Sequence, residues 1–264
     1  MKLFVFDVDG TIVYNGGNIS PEDQAAIQAR LDQGDAIAIC TGRPFEGALK
    51  YLSCFHGHQR WVVGSNGATL QDENGKMLYF NGYSYREFLE IRNRHLMIET
   101  KLGGTIYAYG TDGDLLTFMP NSWTKEEAEW NNLKVIDLNL DPRPLDSMVL
   151  KTMVAAKAEI AKTIVFSQEE KDRYHIVATD PRFREFMNHG VDKADGVERL
   201  RLHLGLKPEE VYTFGDQLND LLMIKNYHGV AMGNAILECK QASSFVTKDV
   251  RESGVSYALK YFVK

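Results

Sequence analysis

The chain has 264 residues, 44% of them hydrophobic and 25% charged, an ordinary globular composition that excludes global disorder, collagen and coiled coil. That length suits one large or two modest domains. With 36 acidic and 30 basic residues the formal charge is −6, which gives no general attraction to nucleic acid or to an anionic membrane surface.

Lys2 to Phe6 reads as a strand buried on both faces, stopping at Asp7. Ser20-Pro21-Glu22-Asp23 opens a helix with an N-cap, a proline at its first position and acids in its first turn. Gly34 ends it. Ala36 to Cys40 is a second buried-type strand, ending in Thr41-Gly42-Arg43, and Trp61 to Val63 a third, ending in Gly64-Ser65-Asn66-Gly67. Asn74-Gly75 marks a hairpin. Strand and helix in this alternation predict a parallel sheet with helices on both faces.

The middle of the chain changes character. Ser84 to Glu87 has the form of a capping box and predicts one long helix running to Gly103-Gly104. Arg92, Arg94, His95 and Lys101 would then form its solvated face. Thr105–Tyr109 and Leu115–Met119 read as a hairpin, Thr124 to Glu127 as another capping box, and Met148–Ala155 and His175–Thr179 as strands. These features predict an α+β module at residues 83–183, inserted into a core built from 1–82 and 184–264. The first style then returns. Asp192 caps a helix from Lys193, and buried strands Val211–Phe214 and Gly229–Met232 end in Gly215-Asp216 and Gly233-Asn234.

Three scattered cysteines, Cys40, Cys54 and Cys239, are too few for a disulfide framework or a zinc site. The apolar N-terminal stretch is too short for a signal-peptide core, and no run approaches the roughly 18 apolar residues of a membrane span. The expectation is a cytoplasmic protein with reduced thiols. The sequence sets no oligomeric state.

Ligand sites in open α/β sheets lie beyond the carboxyl ends of the strands. There the sequence places Asp7 and Asp9; Thr41, Gly42 and Arg43; Ser65 and Asn66; and Asp216, Asn219 and Asp220, with Lys193 at a helix start. Clustered carboxylates repel unless they share a cation, and such oxygen ligands suit Mg2+. Lys193, the Thr41 hydroxyl and the Gly42 amide suit a phosphoryl group. A first-turn lysine opposes the helix dipole, so Lys193 calls for a compensating anion. Arg43 is open between a substrate contact and pairing with a core carboxylate, and Asp220 between helix capping and metal binding. Asn66 and Asn234 read as loop braces.

Asp7-Val8-Asp9-Gly10-Thr11 resembles the nucleophile motif D-x-D-G-T of the haloacid dehalogenase (HAD) superfamily. Thr41-Gly42-Arg43, Lys193 and Gly215-Asp216-Gln217-Leu218-Asn219-Asp220 resemble its second, third and fourth motifs. Their order, with the large insertion between the second and third, is similar to that of the Cof-type (HAD-IIB, C2-capped) phosphatases. The resemblance implies a Rossmann-like, doubly wound α/β core with an inserted cap that reads the substrate. It implies a Mg2+-dependent phosphatase of a small phosphorylated metabolite, such as a sugar phosphate or a phosphorylated cofactor. Asp7 would be the nucleophile and Asp9 the acid and base. Asp7, Asp9 (through its backbone carbonyl), Asp216 and Asp220 would serve the metal. Thr41, Gly42, Lys193 and Asn219 would hold the phosphoryl group. The same equipment would also run a phosphomutase or phosphotransferase, or be retained in a phosphometabolite sensor. Gln217-Leu218 and Tyr227-His228 depart from the family pattern, and neither pair is expected to touch a catalytic group.

Overall fold

The structure is a computed structural model that describes residues 1–178 and 180–263. Thr179, the end of the strand read at His175–Thr179, lies outside the described residues. The chain forms two compact units, Met1–Tyr79 with Asp192–Lys264, and Phe80–Val191.

Strands in chain order are β1 (Leu3–Phe6), β2 (Ala36–Cys40), β3 (Arg60–Gly64), β4 (Thr69–Asp72), β5 (Met77–Phe80), β6 (Tyr83–Ser84), β7 (Thr105–Gly110) and β8 (Asp114–Thr117). There follow β9 (Lys134–Asp137), β10 (Met148–Ala155), β11 (Tyr174–Val177), β12 (Phe183–Asn188), β13 (Val211–Gly215), β14 (His228–Ala231) and β15 (Phe245–Val246). The helices used below are α1 (Pro21–Asp32), α2 (Tyr85–Arg94), α3 (Met97–Thr100), α4 (Ser122–Asn131), α5 (Gln168–Arg173), α6 (Lys193–His203) and α7 (Gly254–Tyr261).

The first unit carries a sheet in the order β15-β14-β13-β1-β2-β3-β4-β5. Its pairs run parallel from β15 through β3, and β4 turns back antiparallel to β3. Alternate residues of β1 feed opposite cores. Phe4 and Phe6 join Ile27 of α1 and Val255 and Ala258 of α7 on one face. Leu3 and Val5 join Ala194, Val197 and Leu200 of α6 on the other. Burial on both faces is why the strand reads as an unbroken apolar run. The helix starts follow local chemistry: Ser20 accepts from the Asp23 amide, and the Asp192 side chain accepts from the Asp195 amide.

The second unit carries the sheet β11-β12-β10-β7-β8-β9, with β6 beside β10. Phe88 and Ile91 of α2 cover one of its faces, where Ile106, Val154 and Phe186 lie. Ala128 of α4 sits with Tyr107, Tyr109 and Leu115 on the other. The unit runs past residue 183 because β12 pairs with β10 through to Met187.

Two local expectations are corrected here. The long helix from Ser84 divides into α2 and α3, with His95 as the C-cap of α2. His95 is 9% exposed, and its Nε2 lies 2.8 Å from Glu170 Oε1 on α5. Arg92 is bound to Glu99 at 2.7 Å. The supposed solvated face is therefore partly an internal ion-pair seam. In the second correction, Asn121 rather than Thr124 caps α4: its Oδ1 accepts from the Trp123 and Thr124 amides, and Thr124 answers by accepting the Asn121 amide. No helix among the described residues is long and apolar enough to cross a membrane, and all three cysteines are free.

Candidate active site

Asp7 follows β1 directly. Its amide donates to Phe214 O at 3.0 Å, so the β1–β13 ladder runs on and brings Asp7 level with Gly215-Asp216. The chain then turns tightly, with Val8 O accepting from the amides of Thr11, Ile12 and Val13. Gly10, at φ +88°, passes so close to Asp216 that a Cβ would stand 2.3 Å from Asp216 Oδ2. Only glycine combines that conformation with that approach.

Lys193, the first residue of α6, is 1% exposed. Its Nζ donates to Asp7 Oδ1 at 2.6 Å and to Asp220 Oδ1 at 2.7 Å. These two carboxylates supply the negative charge that an ammonium in a first helical turn demands. The second oxygen of Asp220 accepts from the amides of Asp216 at 2.9 Å and Gln217 at 3.0 Å. Both oxygens of Asp220 are thus engaged within the protein, and it braces the loop that presents Asp216. Asp216 is held more lightly, by Thr11 Oγ1 at 3.4 Å, Gln217 Nε2 at 3.1 Å and Asn234 Nδ2 at 3.4 Å. The Gln217 contact corrects the expectation that the variable pair touches no catalytic group; the side chain folds back onto its own neighbour, a move that spacing alone does not reveal.

One carboxylate oxygen from each of Asp7, Asp216 and Asp220 lies within 4.8 Å of the others, and all three residues are buried. Burial, then Asp220, pushes the Asp7 carboxyl well above its usual range, against the pull of Lys193. The same two causes raise Asp216 to about 6. Burial alone would lower the Lys193 ammonium, but Asp220 and Asp7 outweigh it and hold it above the ordinary lysine value. Three carboxylates against one ammonium leave a surplus of negative charge away from water, which is costly unless a cation joins them. An all-oxygen donor set with that surplus fits a hard divalent cation.

Asp9 stands apart from this cluster, with its side chain 49% exposed. Arg43 grips its carboxylate with both prongs, Nε to Oδ2 at 2.9 Å and Nη2 to Oδ1 at 2.8 Å. Of the two roles open to Arg43, pairing with an active-site carboxylate is the one seen. Thr41 Oγ1 accepts from the Arg43 amide at 3.2 Å, and Asn219 Nδ2 donates to Asn66 Oδ1 at 3.2 Å. Asn234 braces two loops, giving to Gly10 O and accepting from the Val250 amide. The sequence-predicted residues thus gather at the carboxyl ends of β1, β2 and β13 and the start of α6.

The sequence profile of the haloacid dehalogenase-like hydrolases matches residues 4–259. The chain belongs to this family of hydrolases, as its motifs anticipated. Among its relatives is the Bacillus subtilis protein YxeH, 28% identical over 98% of this chain and 97% of its own. Another from the same organism, 5-amino-6-(5-phospho-D-ribitylamino)uracil phosphatase YwtE, is 24% identical over 97% and 96%. A haloacid dehalogenase-like hydrolase from Bacteroides thetaiotaomicron superposes with a TM-score of 0.83 at 26% identity, covering 98% of each chain.

Proposed function

We propose that the enzyme is a Mg2+-dependent phosphatase that hydrolyses a small phosphorylated metabolite through an aspartyl-phosphate on Asp7. The observation that carries this reading is the environment of Asp7: one oxygen is fixed by Lys193, the other accepts no hydrogen bond among the described residues, and the carboxylate lies beside those of Asp216 and Asp220. A carboxylate so oriented has a lone pair to offer phosphorus. Asp7 attacks as the P–O bond to the leaving group breaks, and Asp9 supplies the proton that the departing alkoxide takes up. Asp9, then a carboxylate, removes a proton from the water that attacks the acyl phosphate, which regenerates Asp7 and frees inorganic phosphate. Arg43 keeps Asp9 in place through both steps.

Asp7 and Asp216 are the carboxylates best able to hold Mg2+, because Asp220 spends both oxygens inside the protein. Bound there, the ion would offset the carboxylate charge and polarise the phosphoryl oxygens. Thr41, Gly42, Lys193 and Asn219 are assigned to the phosphoryl group. The unit Phe80–Val191 is assigned to selection of the leaving group, in the manner of a cap. A phosphorylated small metabolite is the substrate class, a reading supported by the substrate named for YwtE. Free thiols suit a cytoplasmic setting. The test is release of inorganic phosphate from p-nitrophenyl phosphate with and without Mg2+, followed by a panel of phosphorylated metabolites ranked by kcat/KM. No turnover with either would overturn the proposal.

A further inference from the structure

Directly after β3 the backbone does something unusual for side-chain-bearing residues. Ser65, Asn66 and Gly67 take three successive left-handed conformations, at φ 48°, 56° and 98°. Glycine adopts such a conformation freely and asparagine tolerates it, whereas serine is seldom found there. The surroundings therefore hold the segment in place. The Ser65 amide donates to Arg43 O at 2.8 Å and the Asn66 amide to Thr41 O at 2.9 Å. The Ser65 hydroxyl is buried without a hydrogen-bond partner, so the main chain, not that side chain, does the anchoring.

This short loop meets all three pieces of the phosphoryl cradle. Its amides fasten the Thr41-Gly42-Arg43 turn. The Asn66 side chain, on a residue 2% exposed, lies over Gly42, where a Cβ would stand 3.1 Å from its Oδ1. Gly67 seats against the start of α6; a Cβ there would stand 2.1 Å from Asp192 O and 3.4 Å from the Lys193 amide. The third piece is Asn219, whose Nδ2 donates to Asn66 Oδ1. A side-chain amide has two nearly equivalent orientations, and the partner decides between them. Here Asn66 presents its Oδ1, and the nitrogen of Asn219 is the atom turned toward it. The second N–H of that nitrogen has no partner among the described residues and is left for a phosphoryl oxygen.

We propose that Asn66 is a positioning residue for the phosphoryl group, acting through Asn219 and Gly42 without touching the phosphate. The inference rests on the phosphatase reading above. Asparagine meets both demands of the position: it tolerates the left-handed backbone, and it presents a neutral acceptor. Aspartate would keep the conformation and the acceptor but set a negative charge beside the incoming phosphate.

The experiment is a double-mutant cycle. Asn66→Gly is compatible with the left-handed backbone and removes the side chain that carries the amide; Asn219→Ala removes its partner. Binding of inorganic phosphate to each Mg2+-loaded protein is measured by calorimetry, alongside kcat and KM for p-nitrophenyl phosphate. Misplacement of a contact group on this scale predicts a loss of roughly 10- to 100-fold in kcat/KM for Asn66→Gly, with weakened phosphate binding. The Asn66→Gly/Asn219→Ala protein should lose less than the product of the two single losses, because the variants share the Asn66–Asn219 interaction. Asn66→Asp, which preserves the fold's local geometry should glycine loosen it, should bind phosphate more weakly than wild type. Values for Asn66→Gly within about twofold of wild type, or losses that multiply in the double variant, would overturn the inference. Absent turnover in the wild-type enzyme would instead count against the phosphatase reading, while phosphate binding would still report on Asn66.

Discussion

Lys193 and Asp7 are 186 residues apart in the chain and joined by a 2.6 Å hydrogen bond in the fold. The pair is buried, and Asp220 shares the same ammonium at 2.7 Å. Removing the ammonium therefore strands two carboxylates. Lys193→Met should lower unfolding free energy by roughly 3–5 kcal/mol near neutral pH. Its stability should decline further as pH rises, since the Asp7 carboxyl, already raised by burial, must then ionise without its ammonium partner. Urea melts at several pH values measure this; a stability loss under about 1 kcal/mol would mean the charges are better solvated than their burial implies.

Asp7→Asn keeps the shape of the side chain and removes its nucleophilicity. Turnover should fall on the order of 10³-fold or more while the fold persists. In the wild type, label from 18O water should appear in the released phosphate. Recovery of the phosphoryl group on a sugar hydroxyl would identify a transferase instead.

The raised carboxyl of Asp216 predicts how cation and proton compete. In the folded protein it titrates near 6, against 3.8 ordinarily, because of burial and then Asp220. A group that binds its proton more tightly when folded contributes stability that is complete below the unfolded value and is lost as pH climbs through the folded one. Metal-free protein should therefore lose stability from this group between about pH 4 and pH 6. Mg2+ needs the deprotonated form, so its effect on Tm should be small near pH 5 and larger near pH 7.5. Thermal melts with and without Mg2+ decide the matter, and an equal shift at both pH values counts against it.

In the second unit, Glu170 is 3% exposed and binds His95 through one oxygen and the Ser167 amide and hydroxyl through the other. Burial would raise its carboxyl, but Ser167 and His95 together hold it below the usual value. Its contribution to stability is accordingly present above the unfolded value of 4.5 and is lost as pH falls through the lower folded one. Glu170→Ala should cost about 2–3 kcal/mol, because it leaves the imidazole and an amide unsatisfied. The neighbouring exposed Glu169→Ala should change little. Denaturant melts of the two variants side by side make the comparison.

What the sequence revealed was chiefly what is encoded locally. The strands at Leu3–Phe6 and Ala36–Cys40 show themselves because burial on both faces forbids polar residues, and Ser20 and Asp192 show themselves because cap chemistry spans three residues. The site residues gather because each follows a strand or begins a helix. What stayed hidden depended on distant partners. No glycine or proline marks the break at His95, and the partner its imidazole meets there, Glu170, lies 75 residues on. Asn121 and Thr124 are both competent caps, and only the fold selects between them. Arg43 could be identified as a cation but not as the clamp on Asp9, and Asn66 as a turn residue but not as the acceptor for Asn219.

The order of the first sheet also has a consequence for biosynthesis. β1 lies between β2 and β13, so a nascent chain that has already paired β1 with β2 still lacks the neighbour on the other side. That neighbour, Val211–Gly215, leaves the ribosome on the order of ten seconds or more after β1 at ordinary elongation rates. The contiguous segment Phe80–Val191 is complete before then and has its own hydrophobic clusters. Through that interval the apolar strand Leu3–Phe6 presents an open edge, an aggregation-prone feature of the growing polypeptide of the kind that chaperones shield.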